Sequence, residues 1–494
     1  MNKKPHQNTL QKQSDQLTHK EKMVSVQSHS IVIPSKPTPN PKLFSLCEQI
    51  KLHTHAPVLY VYNNKTTSSS STSTSTFFET LKNSLSQALV IFYPLAGRLS
   101  WTKEGGRWEI HCNAKGALLI EAKCEELTNL NELGDFVPTN LVSQLIPNID
   151  YNLPIQDIPL LAVQLTRFQC GGFTLGVALC RATIDGTATM CFVNTWAKLA
   201  RGEKLNENEL PYHDRVLLNS RKLKHSASLN CHPEFHAPPG WLGRDLDDTR
   251  EVVVATVKLA QEQVYKLKRK VGSCARFQPT SKDISKKKPY STFEVIVGYL
   301  WRCVTKARYT QGNSDQPTRL STLVNCRNRL KPPLPSGYAG NAAFPTVTPT
   351  RSFNDIIRKP LGNVVEDVRE ALERVTGDYV MSALDYIDRE KEMDLLRYNF
   401  HYPAKSVCEG PYKRNPNLFV VSWMNFPYKD ANFGWGEPTY YGPGYMDSEG
   451  KAFVMNDSDG DGLVVAICLE ACFMDSFKKL FYDDIDDVFS TSKL

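Results

Sequence analysis

Between about Glu203 and Asp248 the chain changes character. Pro, His, Arg and acidic residues crowd into stretches such as CHPEFHAPPGWLGRDLDD, where neither helical nor strand-like spacing survives. On both sides of this break, strand-like and helix-like segments alternate. At 494 residues the chain also exceeds the usual size of one core. The break therefore reads as a crossover between two domains of mixed strands and helices. The expected division is a disordered extension at 1–22, an N-terminal domain at 23–202, the crossover at 203–248 and a C-terminal domain at 249–494. No repeat of solenoid period is present.

Ordered sequence is expected from about Met23, where VSVQSHSIVIP alternates as a strand. The low-complexity loop TSSSSTSTST (67–76) precedes a helix over roughly Phe77 to Val90, with Phe78, Leu81, Leu85 and Leu89 on one face. Pro94 and Gly97 break it in FYPLAGRL. A second unit runs from Gly172 to Gly202. FTLGVAL alternates as a strand, the turn RATIDG follows, and Phe192, Trp196 and Leu199 mark a helical face. Asp185 or Thr187 can cap that helix. In the second half REVVVATVKL is strand-like, and STFEVIVGYLWRCVTKAR is a helix opened by a capping box of Ser291 and Glu294. GLVVAICLEACFMDSFKKLF gives a strand and a helix. DSDGDG (457–462) begins like a calcium loop, but Cys468 stands at its twelfth position and a strand follows. It is a hairpin turn.

Several function classes recede on composition. The net charge of +7 is spread along the chain, and its densest run, SKKK (285–288), reads as a solvated loop rather than a nucleic-acid surface. No run is long enough to cross a bilayer. The thirteen cysteines form no CxxC, which points to free thiols, a reducing compartment and no metal site. Cys468 and Cys472 fall in an apolar stretch and are expected in the core. Residues 1–22 are polar and aperiodic, and Asp15 and Glu21 without any Arg argue against a transit peptide. Ser492, Lys493 and Leu494 form the tripeptide read by the peroxisomal import receptor, after the acidic segment DDIDDVFST. A peroxisomal monomer is the expectation, with the cytoplasm as the alternative location.

A strand, a tight turn and a helix expose side chains at the end of a sheet. Residues 181–185, within LCRATIDGTATM, are thus placed to face a cleft. Six segments stand in the order found in one family: FYPLAGRL, DG…FVNTWAKLARGE, LPYHDR, STFE…LWR…KAR, RNRLKPPLPSGYAGN and NFGWGEP. Together they resemble the plant BAHD acyl-CoA-dependent acyltransferases from about Ser25 to Phe481. LPYHDR and CHPEFHAPP look most like the branch that makes spermidine and other hydroxycinnamoyl conjugates.

The resemblance implies an α/β fold of two chloramphenicol-acetyltransferase-like domains with a solvent tunnel between them. It implies acyl-CoA as co-substrate and no bound cofactor. The family's HxxxDG pattern supplies a His general base and a structural Asp that pairs with a downstream Arg. Asp185 and Gly186 match that pattern, and Arg327 is the candidate partner. Arg181 stands in the place of the His. Val421, beside Trp423 in the candidate substrate-binding stretch VVSW, stands where relatives place a Thr that hydrogen-bonds the oxyanion. The structural DFGWG motif survives as Asn432, Phe433, Gly434, Trp435 and Gly436, with Asn for Asp. Asn325 replaces an Asp before the RNR run.

These departures bear on chemistry. Arginine stays protonated, so Arg181 cannot accept a proton. A lost general base costs about 10²–10⁴ in rate, and a lost oxyanion donor roughly 10²–10³. An amine acceptor suffers least, since on the order of one molecule in a few thousand is already neutral at pH 7. The guanidinium fork can instead hold a carboxylate or phosphate, or close on Asp185 as an internal pair. Three functions follow: acyl transfer to an amine of polyamine or alkaloid type; a repurposed lyase or imine-condensing enzyme with Arg181 binding an anion; or a non-catalytic scaffold. His213, His232, His236, His401 and Tyr338 are other candidate proton carriers, each more in keeping with packing or surface roles.

Overall fold

The computed structural model describes residues 23–63, 74–125, 130–133, 135–219, 232–237, 241–244, 250–274, 288–400, 406–408, 412, 414–458 and 460–486. The expected extension at 1–22, His401, most of the SKKK run and the terminal Ser492–Leu494 tripeptide lie outside these residues.

Two six-stranded mixed sheets organise the chain. The first runs in the order Val24–Val32, Ala117–Cys124, Leu161–Phe168, Phe173–Cys180, His55–Tyr62, Tyr440–Pro443. The second runs Val252–Leu259, Leu463–Glu470, Lys451–Asn456, Leu418–Ser422, Leu320–Asn325, Ala343–Val347. The expected boundary at 249 does not separate them cleanly. Tyr440–Pro443, from the second half, pairs antiparallel with His55–Tyr62 and completes the first sheet.

Each sheet buries one face under helices whose apolar stripes were legible. Phe78, Leu81, Leu85 and Leu89 of the helix Thr74–Ile91 are buried with Phe192 and Trp196 of Gly186–Ala200 against Leu175, Val177 and Leu179. The strand Phe173–Cys180 nevertheless lacks the exposed face that alternation suggested, because Ala178 is covered from the other side by Leu145 and Ile146. In the second half the helix Thr292–Arg308 opens on the expected capping box, with Glu294 N donating to Ser291 Oγ (3.2 Å) and Ser291 N to Glu294 Oε2 (2.5 Å). It packs on the alternate residues Leu418 and Val420, Ala452 and Val454, Val465 and Ile467. Asp457 N to Gly462 O (3.0 Å) closes the hairpin where a calcium loop was dismissed. Cys468 is buried as expected, but Cys472 is exposed, because it lies one turn outside the apolar strand.

Gly176 marks a tight point of the first sheet, closed by backbone. A Cβ there would lie 2.1 Å from the Leu145 carbonyl oxygen, a backbone atom with no rotamer to yield. Gly176→Ala is expected to lower stability by about 1–3 kcal/mol through overpacking. A urea titration against the parent protein reads this directly; an unchanged midpoint would refute it.

Candidate active site

The strand Phe173–Cys180 delivers the turn 181–186 to the end of the first sheet, and that turn is fixed from four sides. Arg181 N donates to Thr54 O (2.9 Å), and Thr183 N and Oγ1 both donate to Cys180 O (3.0 and 2.7 Å). Asn341 Nδ2 donates to Arg181 O (3.2 Å), and Arg215 Nη2 to Thr183 O (3.3 Å). Arg215 is itself held by the buried Glu48 carboxylate (3.0 Å). Burial outweighs that pairing for Glu48 and pushes its carboxyl up to about 7.

Asp185 is the centre of this frame. Its Oδ1 accepts from Ala188 N (3.0 Å), so Asp185 rather than Thr187 caps the helix Gly186–Ala200. Arg327 grips it with both arms, Nη1 to Oδ2 (2.8 Å) and Nη2 to Oδ1 (3.0 Å), and Ala342 N adds a second bond to Oδ2 (2.8 Å). Arg327 also donates to Tyr338 O and Gly340 O, which ties the Pro/Gly-rich loop to the turn. Asn325 Oδ1 receives Arg327 N (3.1 Å). The four bonds occupy the carboxylate fully.

Arg181 consequently does not pair with Asp185. Its guanidinium is half-buried and takes part in no hydrogen bond or ion pair among the described residues. Burial lowers its affinity for the proton, opposed by the fields of Tyr151 and Asp447, while arginine remains charged at any physiological pH.

His55, which the sequence reading passed over, lies close enough for Arg181 to act on its charge. Its Nε2 faces Pro159 O (2.8 Å), which can only accept, so Nε2 carries the proton. Nδ1 then accepts from Tyr151 Oη (2.9 Å). With both nitrogens bonded and burial drawing its pKa down to about 4, His55 is a packing residue. Three other candidate histidines lie among the described residues. His213 bonds Ile91 O (2.8 Å) and burial lowers it to about 4; His232 bonds Ser382 Oγ (3.1 Å); His236 is exposed. Tyr338 is buried between the Arg215 and Arg327 guanidiniums, 5.6 and 5.7 Å from its ring centroid.

Across from the turn, Val421 and Trp423 lie on the face of the second sheet turned away from its helices, with Phe453, Met455 and Cys468. Val421 offers no hydrogen-bond donor. Trp423, Phe426, Tyr428, Tyr441 and Met455, with the polar Asn425 and Asn456, line a cleft of 340 Å³ rich in aromatic rings. Phe426 joins it to the turn: a Cβ on Gly186 would meet its Cζ at 2.8 Å.

The NFGWG segment is elsewhere. Trp435 packs edge-on to Phe173 (4.5 Å between centroids), at the far end of the strand that leads to Arg181. Seven steps along that strand amount to roughly 23 Å. Asn432 Oδ1 accepts from Gly434 N (2.9 Å) and Gly436 N (3.1 Å), both at positive φ of 98° and 96°. These bonds need an acceptor and no charge, so Asn serves there as Asp would.

The sequence model of a family described as the Transferase family matches residues 22–484. Hydroxycinnamoyl-CoA:piscidic acid hydroxycinnamoyltransferase of Actaea racemosa is 39% identical over 94% of this chain and all of its own length. Shikimate O-hydroxycinnamoyltransferase of Nicotiana tabacum is 36% identical over 93% of this chain and 99% of its own. Among solved structures, vinorine synthase superposes with a TM-score of 0.66 at 22% identity, covering 92% of this chain and 96% of that one. Fusarium graminearum TRI101 complexed with coenzyme A and deoxynivalenol gives 0.68 at 15%, over 90% and 97%. These two show a shared fold.

Proposed function

The chain belongs to the BAHD acyl-CoA-dependent acyltransferases, and from that premise we propose that it transfers an acyl group from CoA to an amine that also carries an anion held by Arg181. The observation that carries the reading is the division of labour between the two arginines. Arg327, with Ala188 N and Ala342 N, saturates Asp185, which leaves the Arg181 fork without a hydrogen-bonded partner at the mouth of the turn. A half-buried cation whose fork makes no hydrogen bond, and on which Asp447 acts only through its field, is costly to hold, and a carboxylate aligned on the fork removes that cost while orienting the acceptor.

Two further points support it. The relatives' named acceptors include piscidic acid, shikimate and 5-hydroxyanthranilate, acids or their anions, the last acylated on nitrogen. The aromatic cleft beside Gly186 suits a flat acyl group such as a hydroxycinnamoyl chain.

Thiol release from hydroxycinnamoyl-CoA, followed with paired amines that differ only in a carboxylate, tests this. Turnover confined to the carboxylate-bearing member of each pair is expected. No release with any acceptor would sink acyl transfer, and equal turnover within pairs would sink the role of Arg181.

A further inference from the structure

A proton must still leave the attacking group, and Arg181 cannot take it. The side chain best placed to do so comes from the other half of the chain. Lys451 opens the strand Lys451–Asn456, two residues before Phe453 and therefore on the same face of the second sheet. Ala452 and Val454 point the other way, into the helix-covered core. The shared face carries Val421 opposite Phe453 in the register, Cys468 opposite Lys451, and Trp423 against the Phe453 ring at 4.6 Å. Phe426, which packs against Gly186 of the turn, stacks on Trp423 of this face at 6.4 Å between ring centroids.

Backbone anchoring ties the segments that carry the two cations to one strand. Arg181 N is bonded to Thr54 O, and Gly444 N to Pro57 O (3.2 Å), so both chain segments are pinned to the same end of the strand His55–Tyr62. The chain then runs seven residues from Gly444 to Lys451, whose own N–H is fixed to Ser448 O (3.1 Å). The Lys451 stem lies along Phe453, with Nζ 5.3 Å from the ring centroid. Among the described residues its amine has no hydrogen-bond or ion-pair partner.

We propose that Lys451 is the proton acceptor of the transfer reaction, taking over the task that the turn has lost. The inference rests on the acyl-transfer reading above. The Lys451 lone pair takes one proton from the attacking amine as its nitrogen bonds to the thioester carbonyl carbon. The carbon–sulfur bond then breaks, and the same proton passes from Nζ to the departing thiolate. The products are an amide and free CoA thiol, and Lys451 returns to its starting form.

The electrostatics agree with the geometry. Burial, then the Arg181 charge, draw the ammonium of Lys451 down to about 7, where a general base works best near neutral pH. Three groups face it: Arg181 from the first sheet, Asp447 from the preceding segment, and Cys468 from the neighbouring strand. Asp447 and Cys468 oppose the shift, but Asp447 is exposed and spends its Oδ1 on Ser448 Oγ.

The test is the pH dependence of kcat for the full chain with saturating hydroxycinnamoyl-CoA and acceptor. Wild type is expected to rise along a single limb centred near pH 7. Lys451→Gln should lose about 10²–10⁴ in kcat and abolish the limb, with acyl-CoA binding, measured separately by calorimetry, retained. Arg181→Met should keep the limb but move it to higher pH, because a neighbouring cation no longer disfavours the ammonium; a merely structural arginine would not shift it. A Lys451→Gln enzyme with wild-type kcat and limb overturns the proposal. So does an acyl adduct on Lys451, which would make it a nucleophile. If wild type itself releases no thiol with any acceptor, the acyl-transfer reading falls and this inference with it, a distinguishable result.

Discussion

Asp185→Ala is expected to destabilise the protein by about 3–5 kcal/mol, the cost of leaving one partner of a buried ion pair uncompensated. The side chains of Asp185 and Arg327 are 4% and 12% exposed, so water cannot replace what is lost. The substitution removes the cap of Gly186–Ala200, strands Ala342 N and leaves the Arg327 guanidinium buried against only carbonyls. Asp185→Asn should fall between: its single oxygen keeps an acceptor for Ala188 or for Ala342 but not for both, and it loses the charge that Arg327 needs. Urea unfolding of the three proteins checks the order. Stability within about 0.5 kcal/mol of wild type for Asp185→Ala would show that the frame does not depend on this pair.

The second large effect is on substrate. Arg181→Met should raise the KM for a carboxylate-bearing amine about 10²-fold, since hydrogen bonds to charged groups are worth about 1.5–3 kcal/mol each and two are lost together. The KM for acyl-CoA should stay within about twofold, and a neutral amine should bind no worse than before. These values are compared on the alkaline plateau of each enzyme, so that the ionisation of Lys451 does not enter. A uniform fall in kcat with unchanged acceptor KM would place the arginine in the chemical step rather than in recognition.

What could be read from the sequence was what is local. The helix of Thr74–Ile91, the cap at Asp185 and the Ser291–Glu294 box each depend on residues a few positions apart, and spacing alone reveals them. The Asp185–Arg327 contact spans 142 positions and came into view only through resemblance to a family. Lys451 carried no signal at all. A lysine at the start of an alternating strand looks like a solvent-facing residue, and only the pairing of Tyr440–Pro443 with the first sheet turns its face inward. Alternation likewise misjudged Phe173–Cys180, because a second covering layer cannot be seen from one strand's own pattern. The alternative of an internal Arg181–Asp185 pair failed for a similar reason. Nothing near residue 181 in the chain indicates that Arg327 already holds that carboxylate.

The exchanged strand has an architectural consequence. Tyr440–Pro443 makes the first sheet's outermost ladder with His55–Tyr62, so the two halves are buckled together by backbone bonds rather than merely resting on each other. A fragment ending before residue 440 would leave the edge of His55–Tyr62 bare, an invitation to pair with another chain. A hinge that swung the halves apart would have to unzip that ladder first. The Arg181 turn and the Lys451 face therefore hang from one ladder, with only residues 444–450 between it and Lys451, like two pages sewn to one spine.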